Sequence, residues 1–230
     1  MKANTPSLIF YFLASIFTII FTVLGPEAYL LYTKSLVVPS IFIYYLTTNN
    51  YKIDLIKGGI FLFSFIGDVF ILMNYNDSEN GSVYSFLIVY ILLIIHLARG
   101  IKKIKLNKID LLSAISIIIA MVVLSITILS LPFEKMKTDF SIIIIYSIVL
   151  SVLICIAVIK YCTKSNFTFL NLLLMSICFL ISDIFYVLDG FYLSLSVFNL
   201  IEMSTQVFSY FFMVNYFIAS DKSLKKLNNN

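Results

Sequence analysis

The sequence of 230 residues contains few charged side chains, which make up 12% of it, and it has one histidine, three cysteines and no tryptophan. So little charge is not typical of a soluble domain and leaves no basic surface for nucleic acid. The cysteines, Cys155, Cys162 and Cys178, form no C-x-x-C pair and have no histidine nearby. Neither a zinc site nor a disulfide framework is therefore predicted. We expect no metal and no other cofactor.

Apolar residues make up 61% of the chain, and the mean hydropathy is +1.02. A helix of about 20 apolar residues crosses a bilayer, and polar or turn-forming breaks divide this chain into eight apolar segments of about that length. The predicted spans are residues 7–24, 30–48, 57–74, 82–101, 109–131, 139–161, 167–189 and 197–219. The sequence therefore predicts an all-α integral membrane protein with one transmembrane domain over residues 1–230.

Basic residues are distributed unevenly between the predicted loops. Of the 16 Lys and Arg residues, thirteen lie on one side of the predicted membrane, including Lys57 in the 2–3 loop and Lys160 in the 6–7 loop. The other side has only Lys135 and Lys137. Because positive loops stay cytoplasmic, both termini are predicted to be cytoplasmic, and the net charge of +4 reflects topology. Frequent Ile, Asn and Lys indicate an AT-rich bacterial genome, and helical spans then indicate its plasma (inner) membrane.

Four ionisable side chains lie inside the predicted spans: Lys34, Asp68, Asp183 and Glu202. Placing such a group in a bilayer costs at least about 2.5–3.5 kcal/mol, so each is a functional candidate. All four lie five to six residues from the non-cytoplasmic end of their helix, which is a depth of about 8–9 Å. They are therefore predicted to meet at one level. His96 is predicted instead at the cytoplasmic interface, beside Arg99.

Further polar residues accompany these groups at helical spacing. Ser64 precedes Asp68 by one turn, and Ser182 and Tyr186 lie beside Asp183. Asn199, Glu202, Gln206 and Ser209 form a stripe along one face of the last span. Such faces predict the lining of a cavity. The alternative is a purely structural network in which Lys34 neutralises one acid and hydroxyl groups satisfy the rest.

The two aspartates lie in similar short segments. Ile66-Gly67-Asp68-Val69-Phe70 resembles Ile181-Ser182-Asp183-Ile184-Phe185, and the aspartates are 115 residues apart. This pattern is the basis for a hypothesis of a four-plus-four internal duplication with a shared central cavity.

The same residues resemble motifs of a known family. The segment from Ser64 to Leu72 is similar to the S-x-x-G-D-x-x-L motif of the YhhN family of membrane proteins, which includes lysoplasmalogenases, and Ser182-Asp183 is similar to its second, S-D, motif. Lys34-Ser35 resembles the family's Lys-Pro. One departure is that Tyr90 aligns with a histidine of the family's fourth helix.

This resemblance implies hydrolysis of the vinyl ether bond of a lysoplasmalogen, a lysophospholipid, to a fatty aldehyde and a glycerophospho-alcohol. For this chemistry our hypothesis makes Asp183 the general acid and Asp68 the carboxylate that stabilises the oxocarbenium ion and orients water, although these roles could be reversed. Lys34 would bind the substrate phosphate or hold one carboxylate charged. Glu202 and Gln206 would position the head group or water, and the other lining residues would contact substrate: Ser64, Tyr90, Ser182, Tyr186 and Asn199.

Two other functional classes remain open from the sequence. The same acids could form a pathway in a lipid-binding or proton-coupled transport protein, or they could be structural. A transporter would be indicated by helices broken by Gly or Pro at mid-membrane. The four prolines, Pro6, Pro26, Pro39 and Pro132, are instead predicted to lie mostly near helix ends.

Overall fold

The computed structural model describes residues 4–25, 27–73, 78–99, 108–130 and 140–228. Their regular structure is entirely helical, as predicted. The helices are α1 (Thr5–Leu24), α2 (Glu27–Thr48), α3 (Leu55–Met73), α4 (Ser78–Arg99), α5 (Lys108–Leu129), α6 (Phe140–Thr163), α7 (Phe167–Val187) and α8 (Ser196–Asn228), with a π-helical turn at Leu188–Tyr192.

Seven of the eight predicted spans are confirmed as helices long and apolar enough to cross a membrane. The remaining one, α5, coincides with the predicted span 109–131, and its apolar part in the described residues is the shorter stretch Ile115–Ile128. Sidedness stays a prediction, and so does the internal duplication. The basic residues of segments 100–107 and 131–139, including Lys135 and Lys137, lie outside the described residues.

Three details differ from the sequence-based expectation. The break predicted between spans 167–189 and 197–219 begins with the π-helical turn, and the Asp189 carboxylate in that turn accepts a hydrogen bond from the Leu195 backbone N–H at 2.9 Å. The last helix continues to Asn228, well beyond residue 219. Pro39 lies inside α2 rather than near its end. A proline interior to a membrane helix is tolerated where neighbouring groups compensate for the missing N–H.

Two lysines assigned to loops are buried instead. Lys57 lies in the first turn of α3, with 3% of its surface exposed, and forms an ion pair with Asp221 of α8. Lys160 lies in α6, and its ammonium group donates to the Leu97 carbonyl of α4 at 3.0 Å. The sequence predicts them in loops because apolar segments are divided at charged residues. A long lysine side chain can nevertheless lie inside the bundle when its ammonium group has an acceptor there.

The helices pack mainly as sequential pairs, α1 with α2, α3 with α4, and α7 with α8, and α8 also packs on α1 and α2. Glycines bring α3 and α4 close together. A Cβ atom on Gly67 would lie 2.8 Å from the Phe86 ring, and one on Gly81 would lie 2.7 Å from the Phe70 ring. Both contacts flank Asp68, so the close packing of these helices fixes the position of its backbone.

Candidate functional site

Asp68 is held by three different side chains in the interior of the bundle. It is 1% exposed. The Gln206 amide donates to its Oδ1 atom at 2.9 Å and the Tyr210 hydroxyl donates to Oδ2 at 2.9 Å. Lys34 Nζ lies 3.9 Å from Oδ1. These donors from α2 and α8 compensate the carboxylate charge that burial in α3 would otherwise make costly.

Lys34 and Ser64 retain hydrogen-bonding capacity beside this carboxylate. Lys34 is 3% exposed and Ser64 is fully buried. Within the described part of the chain, neither the ammonium nitrogen of Lys34 nor the Ser64 hydroxyl has a hydrogen-bond partner. Buried donors of this kind are rare, because each loses its bonds to water. The ammonium group is therefore suited to an anionic ligand group.

Asp183 is held by two phenols instead. The Tyr90 hydroxyl donates to Oδ2 at 2.6 Å, and the Tyr146 hydroxyl donates to the same atom at 2.9 Å. The Tyr90 ring is fully buried and packs edge-on against Tyr146 and Phe179. Both phenols thus hold the Asp183 carboxylate at a cavity wall, where it can exchange a proton with a bound molecule.

Asp183 lies where a polar and an apolar cavity meet. The first, which we call the polar cavity, has a volume of about 50 Å³ and an apolar wall that includes Ile71, Phe86 and Ile143. Its other wall is polar and is formed by Tyr146, Ser182, Asp183, Tyr186, Glu202 and Gln206. A second cavity, of about 70 Å³, shares Tyr146 and Asp183 but is otherwise almost entirely apolar. The first has room for a few water molecules. A molecule with one polar and one apolar part would thus place its junction at Asp183.

Glu202 connects the polar cavity to the end of the bundle. It is 4% exposed. The positive charge of Lys34 attracts both carboxylates, that of Glu202 and that of Asp68. With Asn199, Tyr186 and Asp189 it lines a further pocket of about 200 Å³. Gln206 and Ser209, which complete the predicted stripe, are also buried. Glu202, Gln206 and Ser209 therefore face the interior of the bundle, whereas Asn199 is only partly buried.

The structure thus brings most of the predicted residues together at one end of the bundle. Lys34, Asp68 and Gln206 are in contact, and Tyr90 contacts Asp183. Ser182 donates to the Glu202 backbone carbonyl at 3.2 Å, and Ser64 is buried one turn from Asp68. His96 lies at the other end, where it packs against Tyr216 and Phe217.

Two residues of the site were missed by sequence reasoning, Tyr146 and Tyr210. Tyr210 follows Gln206 by four positions, so an extension of the polar stripe by one turn would have found it. Tyr146 carries no such signal, because α6 shows no polar stripe through it. No three His, Cys, Asp or Glu side chains in the described ranges are grouped so that they could hold a metal ion.

Comparison with known proteins gives one match. The sequence model of the YhhN family matches residues 29–220, which includes every residue of the site. No curated protein and no solved structure is significantly similar to the chain.

Proposed function

The chain belongs to the YhhN family, which includes lysoplasmalogenases, and on that premise we propose that it hydrolyses the vinyl ether bond of lysoplasmalogens. The products are a fatty aldehyde and a glycerophospho-alcohol. The observation that carries this proposal is the position of Asp183, on the shared wall of a polar and an apolar cavity. The vinyl ether of such a lipid is likewise the junction between its polar head and its hydrocarbon chain.

In the proposed reaction, the protonated Asp183 carboxyl group transfers its proton to the β-carbon of the vinyl ether. The C–O carbon becomes an oxocarbenium ion, and a water molecule adds to it and returns a proton to the carboxylate. The resulting hemiacetal breaks its bond to the glycerol oxygen, which leaves as the alcohol, and the aldehyde forms. The hydroxyls of Tyr90 and Tyr146 stabilise the negative charge that develops on Asp183 as its proton leaves.

Asp68 has the second role in this scheme. Its negative charge favours the cationic intermediate, and it fixes the amide of Gln206, which lines the cavity where the water must lie. Lys34 faces the same carboxylate and has no hydrogen-bond acceptor of its own among the described residues. We assign it to the substrate phosphate. Glu202, Asn199 and the pocket that they line would receive the glycerophospho head group.

The direct test is release of fatty aldehyde by the purified protein in detergent, from a lysoplasmalogen and from its saturated-ether analogue. Wild-type protein should release aldehyde from the vinyl ether only, and Asp183→Asn and Asp68→Asn should be inactive while still folded. Asp54→Asn is the matched control, because it removes a carboxylate that is 45% exposed at the other end of α3. Turnover by Asp183→Asn, or no turnover by folded wild type, would reject the proposed mechanism.

Lipid binding or proton-coupled transport without catalysis is the second candidate. It is favoured by the succession of ionisable groups across four helices: Lys34, Asp68 and Glu202 are buried, and Asp183 is partly buried. In liposomes with an internal pH dye, a transporter would move protons in response to added lipid, and the proposed hydrolase would not.

A further inference from the structure

A long apolar groove runs between α5 and α6, outside the residues discussed so far. Its volume is about 470 Å³, within the range of small-molecule pockets. Its lining is formed by aliphatic residues with a few serines and Cys155. The serines add little polarity, because Ser147 and Ser151 donate to backbone carbonyls of their own helix at 2.9 and 2.7 Å. A ligand in this groove would therefore meet an apolar surface.

The groove is open to the surrounding lipid. Ile118, Val122 and Ile126 of α5 line it and are 50%, 51% and 62% exposed. On α6, Ile148 lines it and is 57% exposed. A hydrocarbon chain could therefore enter sideways from the bilayer, without first passing through water.

The groove adjoins the cavities at Asp183. Met121, Ser125 and Ser147 line both the groove and the apolar cavity of about 70 Å³. That cavity in turn includes Tyr146 and Asp183, which also line the polar cavity. Shared lining residues thus connect the groove, through the cavity of about 70 Å³, to the polar cavity at Asp183.

We propose that the α5–α6 groove binds the single hydrocarbon chain of a lysolipid and places the chain's first carbons at Asp183. This inference rests on the proposed function and names the part of the fold that receives the hydrocarbon chain of its substrate. Along α6, the groove extends from Ile144 to Ile159, which is about 22 Å at 1.5 Å per residue. One leaflet of a bilayer core, half of about 30 Å, is shorter than this, so a full lipid chain fits.

The first experiment measures how turnover depends on the chain length of the substrate when the groove is blocked at two different positions along α6. Ser151→Phe and Cys155→Phe would each block the groove, one turn apart, at increasing distance from Asp183. For long-chain lysoplasmalogens, kcat/KM should fall by about fourfold for each methylene kept out of the groove. For short-chain substrates, kcat/KM should be unchanged. The limiting chain length should be shorter for Ser151→Phe. Ile145→Phe is the matched control, because Ile145 is 51% exposed on α6 and lies outside the groove.

The second experiment does not depend on hydrolysis. A saturated-ether lysophospholipid with a diazirine at its chain end is photo-crosslinked to the purified wild-type protein, and the modified peptides are identified by mass spectrometry. We expect labels on groove residues of α5 and α6, and their loss in Ser151→Phe but not in Ile145→Phe. Such labels without aldehyde release would support the groove and reject the hydrolase.

Two outcomes would overturn the inference. Aldehyde release with labels elsewhere and unchanged chain-length profiles would reject the groove and leave the proposed function standing. A chain-length profile of Ile145→Phe identical to that of Ser151→Phe would show that added bulk on α6 acts nonspecifically. Because the crosslinking uses wild-type protein, a variant that fails to fold does not prevent the test.

Discussion

Removal of the Tyr90 hydroxyl is the most direct perturbation of the proposed acid. In Tyr90→Phe the fully buried ring keeps its packing against Tyr146 and Phe179, and the change deletes the 2.6 Å hydrogen bond to Asp183 Oδ2. A hydrogen bond to a charged group contributes about 1.5–3 kcal/mol. In the proposed reaction that charge develops only as the proton leaves, so the loss falls on the transition state. We therefore expect kcat to decrease by about 10- to 150-fold, with KM little changed.

The assay measures initial rates of aldehyde release against lysoplasmalogen concentration, together with thermal unfolding in the same detergent. Tyr45→Phe is the matched control. Tyr45 is also fully buried, and its hydroxyl donates to a carboxylate, Asp221, at 2.9 Å, but at the opposite end of the bundle. It should lower the unfolding temperature and leave kcat unchanged. Equal kcat values for Tyr90→Phe and Tyr45→Phe would refute the role of Tyr90 as a partner of the acid.

A double variant extends this test. Tyr90 and Tyr146 donate to the same oxygen, so each compensates in part for the loss of the other. The decrease in kcat for Tyr90→Phe/Tyr146→Phe should then differ from the sum of the two single effects expressed as free energies. Strict additivity would indicate that the two phenols act on different steps or different groups.

Two further predictions concern stability, measured by unfolding in detergent micelles. Lys57→Met should lower the free energy of unfolding by about 3–5 kcal/mol, because it leaves the mostly buried Asp221 carboxylate without its ion pair, whereas the exposed Arg99→Ala should change it by at most about 1 kcal/mol. Similar losses in both would contradict this role of burial. Gly67→Ala should cost about 1–3 kcal/mol, because the new methyl group would lie 2.8 Å from the Phe86 ring, and Phe86→Leu in the same chain should restore part of it. An unchanged unfolding temperature for Gly67→Ala would contradict the close packing of α3 and α4.

The helices themselves could be predicted closely from the sequence, because the length and polarity of a span are local properties. The predicted span 57–74 is α3, Leu55–Met73, and the predicted span 167–189 is α7 with the first residues of its π-helical turn. The prediction failed where polar residues continue a helix, as at the end of α8. There the pairing of Asp221 with Lys57 lies inside the bundle, and hydropathy alone does not indicate such a long-range contact.

The acids of the site could also be identified from the sequence, because a bilayer interior rarely tolerates unpaired charge. Their partners could not. The chain has 15 tyrosines, and nothing local distinguishes Tyr146 and Tyr210, which bind the two aspartates, from those that pack in the core or face lipid. Which tyrosine reaches which carboxylate depends on how α6 and α8 are placed relative to α7 and α3, and this is a property of packing.

The partners of the two aspartates differ in kind, and this difference supports one assignment of their roles over the reverse. Asp68 has a cation, Lys34, beside an amide and a phenol, whereas the hydrogen-bond donors of Asp183 are neutral phenols. A general acid must regain its proton after every turnover, and a neighbouring cation opposes this by favouring the carboxylate. The same cation suits a group that must remain negative opposite an oxocarbenium ion.

The Lys34→Met variant tests this assignment. Without the cation, the Asp68 carboxylate should be less often negatively charged, whereas proton transfer from Asp183 should be unaffected. We expect a raised KM, because the contact with the substrate phosphate is lost, and a reduced kcat. Tyr90→Phe should lower this kcat further by the same factor as it lowers that of the wild-type protein. A variant in which the two changes are strongly coupled would instead indicate that Lys34 acts on the proton donor, and the roles of the aspartates would have to be reversed.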